Sequence, residues 1–373
     1  MERNGEDPAY LREQVITCIG NKRALLPFIA VAVDRIRKRL GKKRLRILDL
    51  FSGSGIVARF FKQYAGFLLA NDLELYSFMV NSCYLTNAET VPTKRLEQAL
   101  EYVRAALERP RPGFFHELYA PEDDRNIRPG ERVFYTKENA LILDTARAAL
   151  DDVDEDLRVF LLAPLLAEAS IHANTSGVFK GFYKGRDGVG RFGGHGGHAL
   201  SRITGRIEPR LPVFSRFSCG HRVVRSDAGR LALSLNGSAD FDLAYLDPPY
   251  NQHPYGSNYF MLNLLAENRR PERISRVSGI PVDWNRSPYN KKSVARENLF
   301  SLITALPARF VLISYNSEGF IPHEEFLSFL RAQGKLELIQ TPYNTFRAGR
   351  NLADRPIHVV EFLYLLEKND ASA

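Results

Sequence analysis

Short apolar runs and helix-like segments alternate at both ends of this chain, and the pattern changes in the middle. Apolar runs at residues 45–50, 66–72, 221–226, 241–246, 310–315, 336–340 and 359–366 predict strands. Residues 24–40, 56–64, 76–85, 228–235, 294–306 and 324–333 predict helices between and around them. That alternation predicts an α/β fold, with a mixed, mostly parallel sheet covered by helices on both faces. Residues 15–22 read as a short extended segment that turns at Gly20, and residues 1–14 read as a frayed polar lead.

Residues 86–220 break the rhythm. Helices are expected at 91–107, 140–150 and 157–171, separated by Pro-rich, charged turns at 109–113 and 120–130. From Asn174 the chain becomes irregular, basic and glycine-rich. The expected division is therefore a first part of the core at 1–85, an inserted, largely helical and irregular domain at 86–220, and a second part of the core at 221–373.

Charge sharpens that division. The 373 residues carry a formal net charge of +8. Between residues 180 and 225 stand ten Lys and Arg, among them Lys180, Lys184, Arg186, Arg191, Arg202 and Arg206, against two acids, Asp187 and Glu208. The whole excess thus lies in this stretch, and a basic segment on a neutral body suggests a polyanion-binding surface. A solvated arginine-rich loop would read the same way. Arg347, Arg350 and Arg355 mark a second candidate phosphate contact. Three widely spaced cysteines, Cys18, Cys83 and Cys219, suggest neither disulfides nor a metal site and fit a reducing cytoplasm. His195 and His198 lack nearby ligands to complete a site, so no metal is expected. The amino terminus has no signal-peptide pattern. The longest apolar stretch, 159–171, is interrupted by Pro164 and Glu168, so no membrane span is expected.

Candidate chemistry gathers at strand ends. Asp247-Pro248-Pro249-Tyr250 closes the run at 241–246. The prolines fix the backbone and donate no N–H, so nearby carbonyls can face a ligand. Asp247 and the Pro248 carbonyl can accept both hydrogens of an exocyclic amino group, and Tyr250 can cover a flat ring. A strand end followed by a Pro-Pro turn is the plainer alternative. Asp49 ends another strand, just before Phe51-Ser-Gly53-Ser-Gly55 and a helix. Glycines let a backbone approach a ligand. This turn lacks the longer phosphate-binding pattern. An acid beside Gly-x-Gly better fits S-adenosylmethionine, whose amino acid and sulfonium carry no phosphate. Asp72, about twenty residues past the turn, stands where an acid meets ribose hydroxyls. It would equally cap the next helix.

Taken together, these elements resemble the DNA adenine-N6 methyltransferases of the Dam-like class. Ile19-Gly-Asn-Lys22 resembles that family's amino-terminal cofactor motif, with Asn21 where a second glycine is common. Asp49-Leu-Phe-Ser-Gly-Ser-Gly55 resembles its glycine motif, Asp227 its adenine-contacting acid, and Asp247-Pro-Pro-Tyr250 its catalytic motif. The extension 251–259, with Tyr255 and Tyr259, is similar to a branch found in restriction–modification systems. The matching motifs fall at roughly 15–85 and 221–365, while the interior resists alignment.

The resemblance implies a Rossmann-like, S-adenosylmethionine-dependent methyltransferase core with an inserted target-recognition domain. It implies a cofactor site at Lys22, Asp49, Phe51, Gly53, Gly55, Asp72 and Asp227, and catalysis at Asp247, Pro248, Pro249 and Tyr250. DNA contacts would come from the basic insertion, Tyr255, Tyr259, Arg347 and Arg350. The expected activity is methylation of N6 on an adenine flipped out of duplex DNA, by a monomer or dimer in the cytoplasm. The partner would be a cognate restriction endonuclease, or the enzyme would act alone. The same cradle fits cytosine N4 or an RNA adenine, and a catalytically silent DNA-binding subunit is the alternative from another class.

Overall fold

The computed structural model describes residues 5–12, 15–17, 20–235, 240–344 and 358–369. Seven strands form one sheet in the order β3-β2-β1-β4-β5-β7-β6. They are β1 (Leu45–Asp49), β2 (Ala65–Asp72), β3 (Gly220–Arg225), β4 (Phe241–Leu246), β5 (Ala308–Asn316), β6 (Gly334–Asn344) and β7 (His358–Lys368). β1, β2, β3, β4 and β5 pair in parallel, and β7 runs antiparallel to both neighbours. The chain leaves β1 for β2 and returns to β4 on the other side of β1. That reversal of strand order opens a crevice at the carboxyl ends of β1 and β4.

Side-chain alternation explains the two covered faces. Ile47, Leu243, Phe310, Leu312, Leu363 and Leu365 point to one face and meet the Leu26–Leu40 and Ile56–Phe61 helices. Leu48, Ala244, Val311, Ile313, Tyr364 and Leu366 point to the other. There they meet the Ala228–Leu235, Lys292–Ala305 and His323–Gln333 helices.

The interior builds a third core. The Thr93–Ala106, Lys137–Asp151 and Glu155–Ile171 helices pack with Phe114, Phe115, Phe134 and Tyr135. The last of these helices runs through Pro164 without ending. Asp144 accepts the backbone N–H groups of Gly113, Phe115 and His116 and so caps the short Phe114–Tyr119 helix, an element the apolar pattern did not announce.

This core crosses the boundaries at 85 and 220. Tyr76, Val80 and Tyr84 of the Leu75–Tyr84 helix belong to it, as do Met261, Leu262 and Leu265 of the Phe260–Glu267 helix. The segment at 15–22 also differs from expectation. Its described residues form no strand, and Lys22 opens a 3-10 turn, Lys22–Leu25, capped by Asn21 through the Arg23 N–H. No helix among the described residues is long and apolar enough to cross a membrane.

Because Leu265 is fully buried in the shared core, Leu265→Ala should cost about 2–5 kcal/mol of stability. Sheet and helical interior should then unfold together. Far-ultraviolet circular dichroism and Trp284 fluorescence should give coincident transitions, and two separated transitions would contradict the shared core.

Candidate active site and cofactor cleft

The carboxyl ends of β1, β2 and β4 surround a cleft with about 910 Å³ of space, part of it open to solvent. Its wall includes Lys22, Asp49, Phe51, Gly53, Asp72, Asp227, Asp247, Pro249 and Tyr255. These fall hundreds of residues apart in the chain and are brought together by the sheet. Gly55 sits just behind the wall at the start of the Ile56–Phe61 helix, with φ 75°. A Cβ there would stand 2.8 Å from Asn81 Oδ1, so glycine is demanded by both backbone and space.

Asp72 organises the turn. Its Oδ2 accepts the Gly53 N–H at 2.8 Å and its Oδ1 accepts the Glu74 N–H at 2.9 Å. It is therefore a brace between β1's turn and the Leu75–Tyr84 helix, whose N-cap is Glu74 rather than Asp72. Glu74 itself is buried and lines the cleft. Its Oε2 accepts from Asn263 at 2.6 Å and Asn285 at 2.9 Å, and burial raises its carboxyl to about 7. Asp49 is fully buried, and neither of its oxygens has a hydrogen-bond partner among the described residues. Burial, then the charges of Asp247 and Asp72, push its pKa well up, while the Phe51 N–H, nearby but outside hydrogen-bond geometry, acts weakly the other way.

Asp247 stands opposite. Lys22 Nζ lies 3.1 Å from Asp247 Oδ1 and 2.9 Å from Glu361 Oε1. Glu361 is buried and also accepts from Ser314 Oγ at 2.8 Å. Burial alone would lower the Lys22 ammonium, but the two carboxylates outweigh it and hold its pKa high. Burial raises Asp247 to about 6, with Lys22 pulling it down and Glu361 pushing it up. Lys22 thus pairs with Asp247 while its side chain also lines the cleft where its cofactor contact was expected. The pairing with Glu361 has no local signal in the sequence.

Aromatic rings frame this corner. Tyr250 packs edge-on against Tyr315 at 6.0 Å, with Lys22 Nζ 5.8 Å from its ring centre. The Tyr250 carbonyl accepts the Phe320 N–H, which fixes the backbone after Pro248 and Pro249. Phe51 meets Tyr289 edge-on at 5.1 Å. Tyr289, Asn285 and Asn290 also wall the cleft. No motif points to them, because they arrive from a stretch between predicted elements.

With Asp49, Asp72, Glu74, Asp227 and Asp247 on the wall and Lys22 already paired, the cleft favours a cationic ligand and disfavours phosphates. The buried, unpartnered Asp49 carboxylate fits the ammonium of S-adenosylmethionine.

The expected DNA contacts divide. Lys180, Lys184, Arg186 and Arg191 are exposed, and Lys184 lies over the Phe182 ring at 5.0 Å. Arg202 is turned inward instead. Its guanidinium donates to the carbonyls of Ile171, Ala173 and Thr175, so it ties the interior together and does not face a ligand. Arg206 is exposed but paired with Glu138 at 3.0 Å. Tyr259 is fully buried, stacked on Tyr255 and tilted against Tyr76, which corrects its expected DNA contact. Its ring serves the core beneath the loop. Ile19, Arg347, Arg350 and Arg355 lie outside the described residues.

The sheet order, the reversed β7 and the cleft above β1 and β4 define a Rossmann-like methyltransferase fold. The family model of the D12 class N6 adenine-specific DNA methyltransferases matches residues 19–189 and 226–325. This exceeds half of the chain, which belongs to that family and is a DNA methyltransferase. The match continues well into the helical interior and breaks only after residue 189, so the interior aligns further than its composition suggested.

Among similar proteins, the type II methyltransferase M.NlaIII of Neisseria lactamica is 32% identical over 86% of this chain and 90% of its own length. The type II methyltransferase M.CviAII of Paramecium bursaria Chlorella virus 1 is 26% identical over 94% of this chain and 98% of its own. The type II methyltransferase M.FokI of Planomicrobium okeanokoites is 26% identical over 87% of this chain, but only 48% of its own length.

The Asp247 environment predicts a pH dependence. If the carboxylate form is the active one, kcat/KM should rise with pH and level off above about 6. Glu361 raises the Asp247 pKa, so Glu361→Gln should move that acid limb to lower pH. A limb that stayed in place would detach Glu361 from the site.

Proposed function

We propose that this chain transfers a methyl group from S-adenosylmethionine to N6 of an adenine flipped out of duplex DNA. One observation carries the reading. An ion-paired Asp247 stands beside an aromatic ring on the rim of an acidic cleft that holds an unpartnered carboxylate. When bound, S-adenosylmethionine supplies an electrophilic methyl group on a sulfonium. Asp49 holds the ammonium, and the Asp72-braced turn shapes the wall around the ribose. Asp227, which lines the same cleft, meets the adenine edge in this reading.

Asp247 and the Pro248 carbonyl accept the two N6 hydrogens of the target. The N6 lone pair is otherwise delocalised into the ring and poorly nucleophilic. Two acceptors draw the nitrogen toward a tetrahedral form and aim the lone pair, so positioning and electrostatics do most of the work. A carboxylate of pKa about 6 can take the proton that nitrogen loses after transfer. Tyr250 and Tyr255 offer rings against which the flipped base can rest, and Lys180, Lys184, Arg186 and Arg191 offer phosphate contacts.

The resemblance to type II methyltransferases supports a modification enzyme acting on genomic DNA in the cytoplasm, alongside a cognate restriction endonuclease or alone. Labelled methyl transfer to duplex DNA, followed by nucleoside analysis, tests the reading. N6-methyladenine is expected. N4-methylcytosine, label in RNA only, or no transfer would overturn it.

Three substitutions test the roles. Asp247→Ala should lower single-turnover transfer by orders of magnitude with a modest change in DNA affinity, because the lost interaction strengthens in the transition state. Tyr250→Phe should stay active while Tyr250→Ala slows, since stacking on a base is worth about 1–3 kcal/mol and needs only the ring. Asp49→Asn should weaken S-adenosylmethionine binding in calorimetry, and unchanged affinity would remove Asp49 from the cofactor site.

A further inference from the structure

After the catalytic loop and the Phe260–Glu267 helix, the chain makes a second excursion before returning to the cleft. Residues 269–286 carry five arginines against two acids, Glu272 and Asp283. The excursion is a hairpin. Ile274 and Pro281 form an antiparallel bridge, Ser275 N–H donates to the Ile280 carbonyl at 2.8 Å, and Val282 N–H to the Arg273 carbonyl at 3.2 Å. The turn closes at Gly279, with φ 68°, where a Cβ would meet the Tyr119 ring at 2.7 Å.

The hairpin is firmly seated. Tyr119 Oη donates to the Gly279 carbonyl at 2.8 Å, and the Arg132 guanidinium donates to the carbonyls of Ser275 and Arg276. Three arginines are engaged near its base. Arg269 pairs with Glu267 and Asp283, Arg270 with Glu117, and Arg286 lies over the Trp284 ring at 4.4 Å. Arg273 and Arg276 differ. Both are exposed, and neither has an acidic partner among the described residues. Val277, beside Arg276 at the tip, is 59% exposed.

Position gives these groups a meaning. Ser278 Oγ donates to the Lys180 carbonyl, so the tip and the start of the basic stretch form one patch. Phe179, next to Lys180, donates its N–H to the Asn258 carbonyl at 2.7 Å. Lys180 also lies close enough to His253 to help burial lower that imidazole's pKa. At the hairpin base, Gly256 packs so tightly on Asn285 that a Cβ would lie 2.4 Å from its carbonyl oxygen. Two arms, one ending in Lys180 and one in the hairpin, therefore brace the same catalytic loop.

We propose that the 273–282 hairpin is a second DNA-contacting arm, which grips the duplex beside the target base through Arg273 and Arg276. With Lys180 they form an unpaired cationic edge next to the catalytic loop, suited to consecutive phosphates of one strand. Val277 at the tip rests against the sugars and base edges of the adjoining groove. This inference rests on the reading that duplex DNA is the substrate. It adds a contact region outside the 86–220 insertion.

The test is the salt dependence of binding to a short, fluorescein-labelled, random-sequence duplex, read by anisotropy. Each phosphate contact contributes about 0.9 to the slope of log affinity against log salt. Arg273→Ala/Arg276→Ala should therefore reduce the slope by about two while keeping the wild-type melting temperature. Arg331→Ala/Lys335→Ala, two exposed charges at the opposite end of the sheet, should leave slope and methylation unchanged. If the wild type shows a steep slope and the hairpin variant keeps it, the arm is refuted and the DNA reading survives. If the wild type shows no salt-dependent binding to duplex DNA, both fall together.

Discussion

The active corner depends on one buried ammonium. Lys22 lies within ion-pair distance of Asp247 and of Glu361, two acids that the chain separates by more than a hundred residues. In a site of low polarity, two such carboxylates without a cation would repel and take up protons. With the cation beside it, Asp247 is drawn toward its charged form. The same contact joins the Lys22–Leu25 turn to the carboxyl end of β4 by a charge.

The reversed strand makes that arrangement possible. β7 runs against β5, so its start lies at the carboxyl end of the sheet, with Glu361 opposite Asn316 and close to Ser314. In a parallel β7 the corresponding position would lie at the far end. The antiparallel strand, an edge detail in the topology, thus delivers the second acid to the site. On the other flank, Asp72 and Glu74 tie the glycine turn to two helices that also belong to the helical interior. The cleft wall, the loop after β4 and the helical interior share side chains such as Tyr76 and Tyr255, and a change in one is felt by the others.

Local patterns made much of this legible. The tetrapeptide at 247–250, the turn at 51–55 and the strand runs depend on neighbours in sequence, and the sheet brings the two motifs to one cleft. What was hidden depends on distance. Nothing around Lys22 announces Glu361. Arg202 and Tyr259 have the composition of surface contacts, yet carbonyls at and just beyond the carboxyl end of the Glu155–Ile171 helix claim the first and the shared core claims the second. Asn285, Tyr289 and Asn290 reach the cleft from a region without motif or strong periodicity. The hairpin at 273–282 has too few residues to give a strand signal, and its tertiary anchors, Tyr119 and Arg132, come from the opposite side of the catalytic motif in sequence.

The central claim is that Lys22 sets the charge of Asp247. Carbon-13 NMR of the labelled aspartate carboxyls, followed through a pH titration in the wild type and in Lys22→Met, measures it directly. The account predicts that Asp247 titrates near about 6 in the wild type and at clearly higher pH once the ammonium is gone, because Lys22 pulls that pKa down. An Asp247 resonance that titrates at the same pH in both proteins would contradict it.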